Sequence, residues 1–458
     1  MNGLAVVILA AGQGKRMKSS LPKVLHRIAG RPMIQYVLDA VAGLCETKPV
    51  LVVGYGAEAL RKAVGESATC VVQSEQLGTG HAVMQARSVL EGQADTVLAL
   101  YGDMPLLSPG TLQSLASAHQ KGRATVTLLT CVHEDSMGFG RILRSPDGCV
   151  LGIVEEAQAT PEQLAIRELN CGIYCFRADW LWEHLPRLPL SPKGEYYLTD
   201  LVGMAVAEGQ PVEGVLVDDA LETLGVNDRL HLARVEGAVR QRIREQWMRA
   251  GVTMVDPVTT YIEATVAIGP DTIIEPNTHL QGTTRIGANS VLGPNTIIRD
   301  STIGDDCRIE ASVVEGAVVE NRVSVGPFGH LRQGAHLAEG VHMGNFGEVK
   351  NSFLGPGVKM GHFSYLGDTT VGANVNIGCG TVTCNFDGVH KYKTVIEDDA
   401  FIGSGTMLVA PVKVGARSVI GAGAVVTHDV PADHLAYGVP ARAKPKPAGH
   451  STAPDESK

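Results

Sequence analysis

Aromatic side chains are scarce in this chain: they make up 5% of it, with three tryptophans among 458 residues. Basic excess is missing as well. The formal net charge is −9, and a general nucleic-acid binder needs a basic footprint to neutralise phosphates, so that class is excluded. An anionic ligand must therefore meet local charge. No apolar run is long enough to span a bilayer; Leu4 to Ala11 is too short and has no basic leader before it, which leads us to expect a cytoplasmic protein. The nine cysteines form no framework of close pairs, as expected for free thiols in a reducing compartment. Cys171 and Cys175 are the tempting metal pair. In a strand they would lie about 13 Å apart, too far for one ion, so structural burial is expected.

What is present begins at the amino terminus. Strand-like Leu4 to Ala10 runs straight into Ala11-Gly12-Gln13-Gly14-Lys15-Arg16-Met17, followed by Leu21-Pro22-Lys23. Glycines at 12 and 14 let a backbone approach a ligand, and free N–H groups in such a turn point at anionic oxygens. Arg16 and Lys23 add fixed positive charge within a run that also holds Lys15, Lys18, Arg27 and Arg31. The spacing is neither the Walker pattern nor the three-glycine dinucleotide fingerprint, which disfavours a P-loop ATPase. The competing explanation is a tight turn with a solvated cationic face.

The length suits two or three domains. Through the first half, apolar runs such as Val50 to Val53, Thr96 to Leu100 and Thr125 to Leu129 alternate with helix-like stretches such as Met33 to Leu44, a pattern that predicts a parallel α/β sheet. Ligands of such sheets sit beyond the carboxyl ends of the strands, where Gly12 and Asp103 both fall. From about Asp228, Leu232, Val235, Val239, Ile243 and Trp247 recur at helical spacing amid charge, and Gly251 offers a stop. This predicts a linking helix over 229–249, about 30 Å long, between domains at 1–228 and 250–458. Packing as a core helix of the first domain is the alternative.

Beyond the helix a period of six appears. Ile262, Ile268, Ile274, Leu280, Ile286, Leu292 and Ile298 follow it, as do Val325, Leu331, Leu337, Met343 and Val349, and then Ile396, Ile402, Leu408, Val414, Ile420 and Val426. A hexapeptide β-helix has that period, because each unit turns one corner of a triangular coil and sends one aliphatic inward. Eighteen residues close a coil, so the segment predicts about nine coils and a prism about 40 Å tall. A narrow aliphatic interior also suits the shortage of rings. The repeat breaks between Val382 and Ile396, where a polar loop predicts either a ligand flap or an idle excursion. After about Ala443, a Pro-, Ala-, Ser- and Lys-rich stretch predicts a disordered tail.

Several motifs extend the first. They are Gln73-x-Glu75-Gln76-Leu77-Gly78-Thr79-Gly80-His81-Ala82, Tyr101-Gly102-Asp103-Met104-Pro105-Leu106, Gly138-Phe139-Gly140-Arg141-Ile142, Glu195-Tyr196-Tyr197-Leu198-Thr199-Asp200 and Gly225-Val226-Asn227. With Leu9-Ala10-Ala11-Gly12-x-Gly14-x-Arg16-Met17 they resemble the bifunctional N-acetylglucosamine-1-phosphate uridyltransferase / glucosamine-1-phosphate acetyltransferase family over nearly the whole chain. The resemblance implies a Rossmann-like nucleotidyltransferase domain, a long helix and a left-handed parallel β-helix. It implies a homotrimer and two reactions: acetyl transfer from acetyl-CoA to glucosamine 1-phosphate, then uridylyl transfer from UTP with release of pyrophosphate. The product, UDP-N-acetylglucosamine, would feed peptidoglycan and lipopolysaccharide synthesis.

For uridylyl transfer the resemblance implies that Arg16 and the Gly12 backbone hold the triphosphate and that Lys23 neutralises the reacting phosphate. Further substrate contacts would fall on Leu9, Ala10, Ala11, Tyr101 and Gly102, uracil contacts on Gln73, Gly78 and Thr79, and sugar contacts on Gly140, Glu155, Asn170 and Asn227. Magnesium would be held by Asp103 and Asn227; a hard cation that keeps its waters asks for few protein oxygens. On residue type alone Asp103 is equally a turn cap and Asn170 a buried, hydrogen-bonded amide.

For acetyl transfer the resemblance puts the general base at His362, and an imidazole titrates in the right range to take an amine proton. Glu348 is a candidate to orient it. Arg332 and Lys350 would anchor the sugar phosphate, with Tyr365, Asn376 and Asn385 as further contacts. Acetyl-CoA would lie along Cys379, Asn385, Phe386, Ser404 and Ala422. Three positions depart from the family: Phe386 where tyrosine is frequent, Cys379 where alanine is usual, and Gly438 where some members have an arginine that Arg442 would replace. Two other readings compete: a nucleotidyltransferase for another sugar with a regulatory β-helix, and a prism that only trimerises.

Overall fold

Leu4–Ala10 is apolar at every position because both faces of the strand it forms are covered. Leu4, Val6, Ile8 and Ala10 enter one buried cluster, while Ala5, Val7 and Leu9 enter another on the opposite face. In the computed structural model, residues 3–134, 136 and 138–445 are described. The chain divides into two units between residues 239 and 240.

The first unit is built on strands β1 (Leu4–Ala10), β2 (Val50–Val53), β3 (Thr69–Val72), β4 (Thr96–Tyr101), β5 (Val126–Val132), β6 (Arg141–Arg144), β7 (Val150–Val154), β8 (Glu168–Arg177) and β9 (Val212–Leu216). The main sheet has the order β9-β5-β8-β4-β1-β2-β3. It is mixed, which corrects the expectation of a parallel sheet: β8 runs antiparallel to both β4 and β5. A parallel neighbour needs a covering crossover, and between β5 and β8 the described residues supply only the β6–β7 hairpin and single helical turns. Leu9 is paired with Tyr101, so the loops after β1 and β4 leave the sheet side by side.

The helix Arg229–Arg249 has the bounds read from the sequence. It buries Val235, Val239 and Ile243 along one stripe and leaves Leu230 largely exposed.

The second unit is a three-sided parallel β-helix. Successive coils pair Ile262 with Leu280 and Leu280 with Ile298 on one side, Ile268 with Ile286 on the next, and Ile274 with Leu292 on the third. All these side chains are buried. Where the sequence loses its phase after Ile298, the coil does not break. Ile303, Val314 and Val319 take the inward positions instead, paired with Ile286, Ile298 and Ile303. Each stands five residues after the preceding inward aliphatic, so these corners turn with one residue fewer. Buried Thr272, Thr278, Thr284, Ser290 and Thr296 precede inward aliphatics by two. Their hydroxyls bond to the backbone, as in Thr278 Oγ1 to Glu275 O at 2.7 Å.

The insertion between Val382–Cys384 and Thr394–Ile396 closes on itself through the Phe386–Lys391 bridge and the bond from Tyr392 N to Asn385 O, 2.8 Å. The last strand, Ala441–Pro445, pairs antiparallel with His434–Gly438, so ordered structure passes Ala443. The remainder of the expected tail, from residue 446, lies outside the described residues.

Candidate active sites

The turn after β1 owes its shape to one glycine and leaves the other free. Gly14 adopts φ +61°, and a Cβ there would lie 2.8 Å from Lys23 Cβ. A Cβ on Gly12 would meet nothing within 4 Å, so the protein itself does not demand a glycine at 12. The short helical turn Lys15–Met17 then carries Arg16 to Asn227, with Nη2 donating to Oδ1 at 3.0 Å. Lys23 forms an ion pair with Asp103.

Two cavities open here. One, of about 290 Å³, is lined by Leu9, Ala10, Ala11, Gly12, Gln73, Gly78 and Thr79, together with Gln76, Glu195 and Tyr197. The second, of about 330 Å³, is lined by Gly140, Glu155, Asn170 and Asn227, together with Cys171, Gly172 and Thr199. Lys23, Tyr101 and Asp103 line both. Fourteen sequence-predicted residues therefore gather around one pair of cavities. Gly102 lies beneath them, its N–H bonded to Leu9 O at 2.9 Å. Gln76, Glu195, Tyr197 and Thr199 had no assigned role. Their signal was present, since all four lie in the quoted motifs.

Gln73 is buried, and its Nε2 donates to Gly78 O at 3.1 Å and faces His81 Nδ1 at 3.0 Å. That leaves its Oε1 to face a ligand. Thr79 Oγ1 accepts from Leu198 N at 3.0 Å. Tyr101 is held protonated by burial, then by the negative charges of Asp103 and Glu155. Glu155 is raised above the usual carboxylate range by burial, with the Asp200 charge adding to it and a Thr199 hydrogen bond opposing it. The Asn170 amide is tied to Tyr174 Oη and Gly172 N, so this residue is both a buried hydrogen-bonded amide and part of the cavity wall.

Among the described residues no group of three or more His, Cys, Asp or Glu side chains is placed to hold a metal. A magnesium ion that keeps most of its waters does not need one. Asp103 and Asn227 offer a carboxylate and an amide oxygen to the same cavity, both now facing cations, and that oxygen-only set fits.

On the β-helix the register aligns a second set. Met343, Met360, Ile377, Ile402, Ile420 and Ala436 are paired in succession on one side. The residues two positions later, Asn345, His362, Cys379, Ser404, Ala422 and Gly438, therefore form one column along a corner, about 4.8 Å apart. His362 is exposed, and its Nδ1 lies 3.2 Å from Asn345 Oδ1. An amide oxygen only accepts, so Nδ1 is the donor here, and in the neutral ring Nε2 is then the atom left to accept. Glu348, the candidate to orient the ring, is engaged elsewhere in this structure. Its Oε1 accepts from Arg332 Nη1 at 2.8 Å, on the side of the prism where it is paired with His330 and Tyr365.

On that side Arg332 and Lys350 stand on successive coils, and Lys350 is pulled below the usual lysine range by the positive charges of Lys391 and Arg332. Such a cluster is suited to a doubly charged anion. Gly367 lets Tyr365 and Asn385 close over it: a Cβ there would lie 2.3 Å from Tyr365 Oη and 2.9 Å from Asn385 Nδ2. Asn376 faces outward on the His362 side, paired with Lys359. Phe386 projects from the inserted hairpin and Arg442 is exposed on the last strand. Beside the column, Phe328 and Phe346 stack at 5.1 Å, and Phe363 follows on the next coil.

Residues 6–211 match the MobA-like NTP transferase domain, and residues 265–300 and 393–428 match the bacterial transferase hexapeptide repeat. The chain is 48% identical over 441 residues to the bifunctional protein GlmU of Pelobacter propionicus, covering 95% of this chain and 96% of the relative. It is 48% identical to that of Heliobacterium modesticaldum over 437 residues, 95% of each chain. For that of Trichlorobacter lovleyi the figures are 49% over 436 residues, 94% of this chain and 95% of the relative.

Proposed function

The chain belongs to the family of the bifunctional protein GlmU, and from that premise we propose how its residues divide the work. It is a bifunctional transferase that makes UDP-N-acetylglucosamine by acetyl and uridylyl transfer, and its second unit is a left-handed β-helix of hexapeptide repeats.

The smaller cavity takes UTP. Gln73 Oε1 accepts the N3–H of uracil, while the Gly12 backbone and Arg16 hold the phosphates. The larger cavity takes N-acetylglucosamine 1-phosphate against Gly140, Glu155 and Asn170. The observation that carries this reading is that the two cavities share Lys23, Tyr101 and Asp103. There the sugar phosphate oxygen meets the α-phosphorus, and Lys23 supplies positive charge where negative charge develops. Asp103 and Asn227 would hold magnesium, which when bound adds further positive charge at the phosphates. Lys23 and Arg16 then turn from those oxygens to the phosphates.

In the second unit the amine of glucosamine 1-phosphate, anchored by Arg332 and Lys350, loses its proton to His362 Nε2 as it attacks the thioester. Acetyl-CoA runs along Cys379, Ser404 and Ala422 toward Arg442, with Phe386 and Asn385 from the hairpin closing over it. The exposed phenylalanines beside this column support a homotrimer in which a neighbouring prism completes the groove. No helix among the described residues is long and apolar enough to cross a membrane, and we place the enzyme in the cytoplasm.

A paired assay with glucosamine 1-phosphate, acetyl-CoA and UTP, scoring free thiol and pyrophosphate separately, tests the division. Thiol should appear first, and omitting acetyl-CoA should abolish pyrophosphate release. Pyrophosphate without acetyl-CoA would favour a nucleotidyltransferase for another sugar.

A further inference from the structure

Behind the sugar side of the larger cavity, thiols from two neighbouring strands meet. Cys131 lies near the end of β5 and Cys171 on β8; Leu169 is the register partner of Cys131, so the two cysteines lie diagonally on one face of the sheet. Both are buried and free, and their side chains belong to one buried cluster. Thr223 Oγ1 donates to Cys131 Sγ at 3.6 Å. The neighbouring Cys171 thiol, with the Thr223 hydroxyl, pulls the Cys131 thiol down despite burial, whereas burial and the nearby Cys131 push Cys171 up. Cys171 also lines the cavity, which gives a small solute a path to it.

The strand is irregular at this point. Between Asn170, opposite Thr130, and Tyr174, opposite Leu128, three residues of β8 face one of β5. Gly172 sits in that bulge at φ +75°, so close to Tyr101 that a Cβ would lie 2.3 Å from its ring. The segment that carries Cys171 thus also shapes the wall formed by Asn170 and Tyr101.

We propose that Cys131 and Cys171 are an oxidation-sensitive pair whose disulfide distorts this bulge and disables the uridylyl site. The proposal rests on assigning the cavity to the sugar phosphate. Diagonal neighbours in a sheet lie about 7 to 8 Å apart, at the limit for bridging without backbone movement. Closing the bond therefore draws Cys171 toward β5 and moves Asn170 and Gly172 with it. With hydrogen peroxide as oxidant, one of the two sulfurs first takes one peroxide oxygen to become a sulfenic acid, releasing one water. The other sulfur then attacks it, forming the S–S bond and releasing a second water. Two thiols and one peroxide give one disulfide and two waters.

The test uses the full chain, assayed for pyrophosphate release when reduced, after hydrogen peroxide, and after dithiothreitol. Peroxide should lower the rate about 10²-fold, the scale of a misplacement near 1 Å, and dithiothreitol should restore it. Peptide mapping of the oxidised wild-type protein should find Cys131 linked to Cys171. Cys131→Ala should match the reduced wild type and resist peroxide. An active reduced enzyme that forms no such link, or a linked enzyme that keeps the reduced rate, overturns this proposal alone. A reduced enzyme that releases no pyrophosphate overturns the site assignment and the proposal with it.

Discussion

At the scale of single residues, the two glycines after β1 separate a requirement of the fold from one of the ligand. Gly14 occupies left-handed backbone and crowds Lys23, whereas Gly12 has neither constraint. Gly12→Ala should therefore fold with unchanged stability yet raise the KM for UTP at least about tenfold, because the added methyl occupies space meant for phosphate. A KM within twofold of wild type would remove the turn from the nucleotide site. Asp103→Ala should cripple pyrophosphate release while acetyl transfer proceeds normally, since the proposed metal loses its charged ligand; unchanged release at limiting magnesium would exclude that role. In the acetyl site, His362→Ala should lower acetyl transfer by about 10² to 10⁴ and spare uridylyl transfer, and Cys379→Ala should keep both. An acetylated Cys379 trapped by mass spectrometry, with loss of activity in Cys379→Ala, would overturn direct transfer. The candidate base was legible in the sequence because its motif is local. Its partner was not: Asn345 lies 17 residues away, and the one five-residue step from Val349 to Leu354 shortens this coil so that it stands one level below His362.

Elements were legible to the extent that their periods were regular. β1 and the helix Arg229–Arg249 have the bounds that periodicity gave them, because continuous burial and helical spacing leave direct marks on hydropathy. The β-helix was legible over three runs, Ile262 to Ile298, Val325 to Val349 and Ile396 to Val426, and lost its phase between them, since dropping one residue at a corner shifts every later aliphatic without disturbing the stacking of Ile303 on Ile286. The antiparallel direction of β8 left no such mark, because a strand buried on both faces reads alike in either direction. A further element-level feature is the helix Pro109–Gly122, which buries His119 against β5 with Nδ1 2.9 Å from Thr127 Oγ1. Burial, with the Arg177 charge assisting, lowers its pKa to about 4. The folded unit thus refuses a proton that the unfolded chain accepts near pH 6.5. The neutral ring's contribution to stability is intact above that pH and is lost as pH falls toward 4, by about 3 kcal/mol in all. Urea unfolding followed by the fluorescence of buried Trp180 and Trp182 should show this slope, and His119→Gln should flatten it; an unchanged slope in the variant would assign the acid sensitivity elsewhere.

For the molecule as a whole, the scarcity of aromatics sharpens the meaning of those left in the open. Of the eight phenylalanines, four are more than half exposed, and all four, Phe328, Phe346, Phe363 and Phe386, belong to the β-helix. Three of them fall on one corner, at positions 328, 346 and 363, next to the column that carries His362. An apolar ladder of this kind is unfavourable in water unless another surface covers it. A second prism is the proposed cover, and the acetyl site is then incomplete in a single chain while the uridylyl cavities are not. Phe346→Asp places a charge where the ladder must be desolvated, without touching the inward aliphatics that stack the coils. It should shift the full chain toward monomer in sedimentation, lower acetyl transfer at least about tenfold and leave pyrophosphate release within twofold of wild type. A fragment ending near Ala250 should likewise be monomeric and release pyrophosphate, since every residue lining the two cavities precedes it. If Phe346→Asp becomes monomeric yet acetylates at the wild-type rate, one prism holds the whole site and the groove between copies is not its place. If the well-folded fragment is inactive, the uridylyl cavities need the β-helix, and the boundary at the helix does not separate the two reactions.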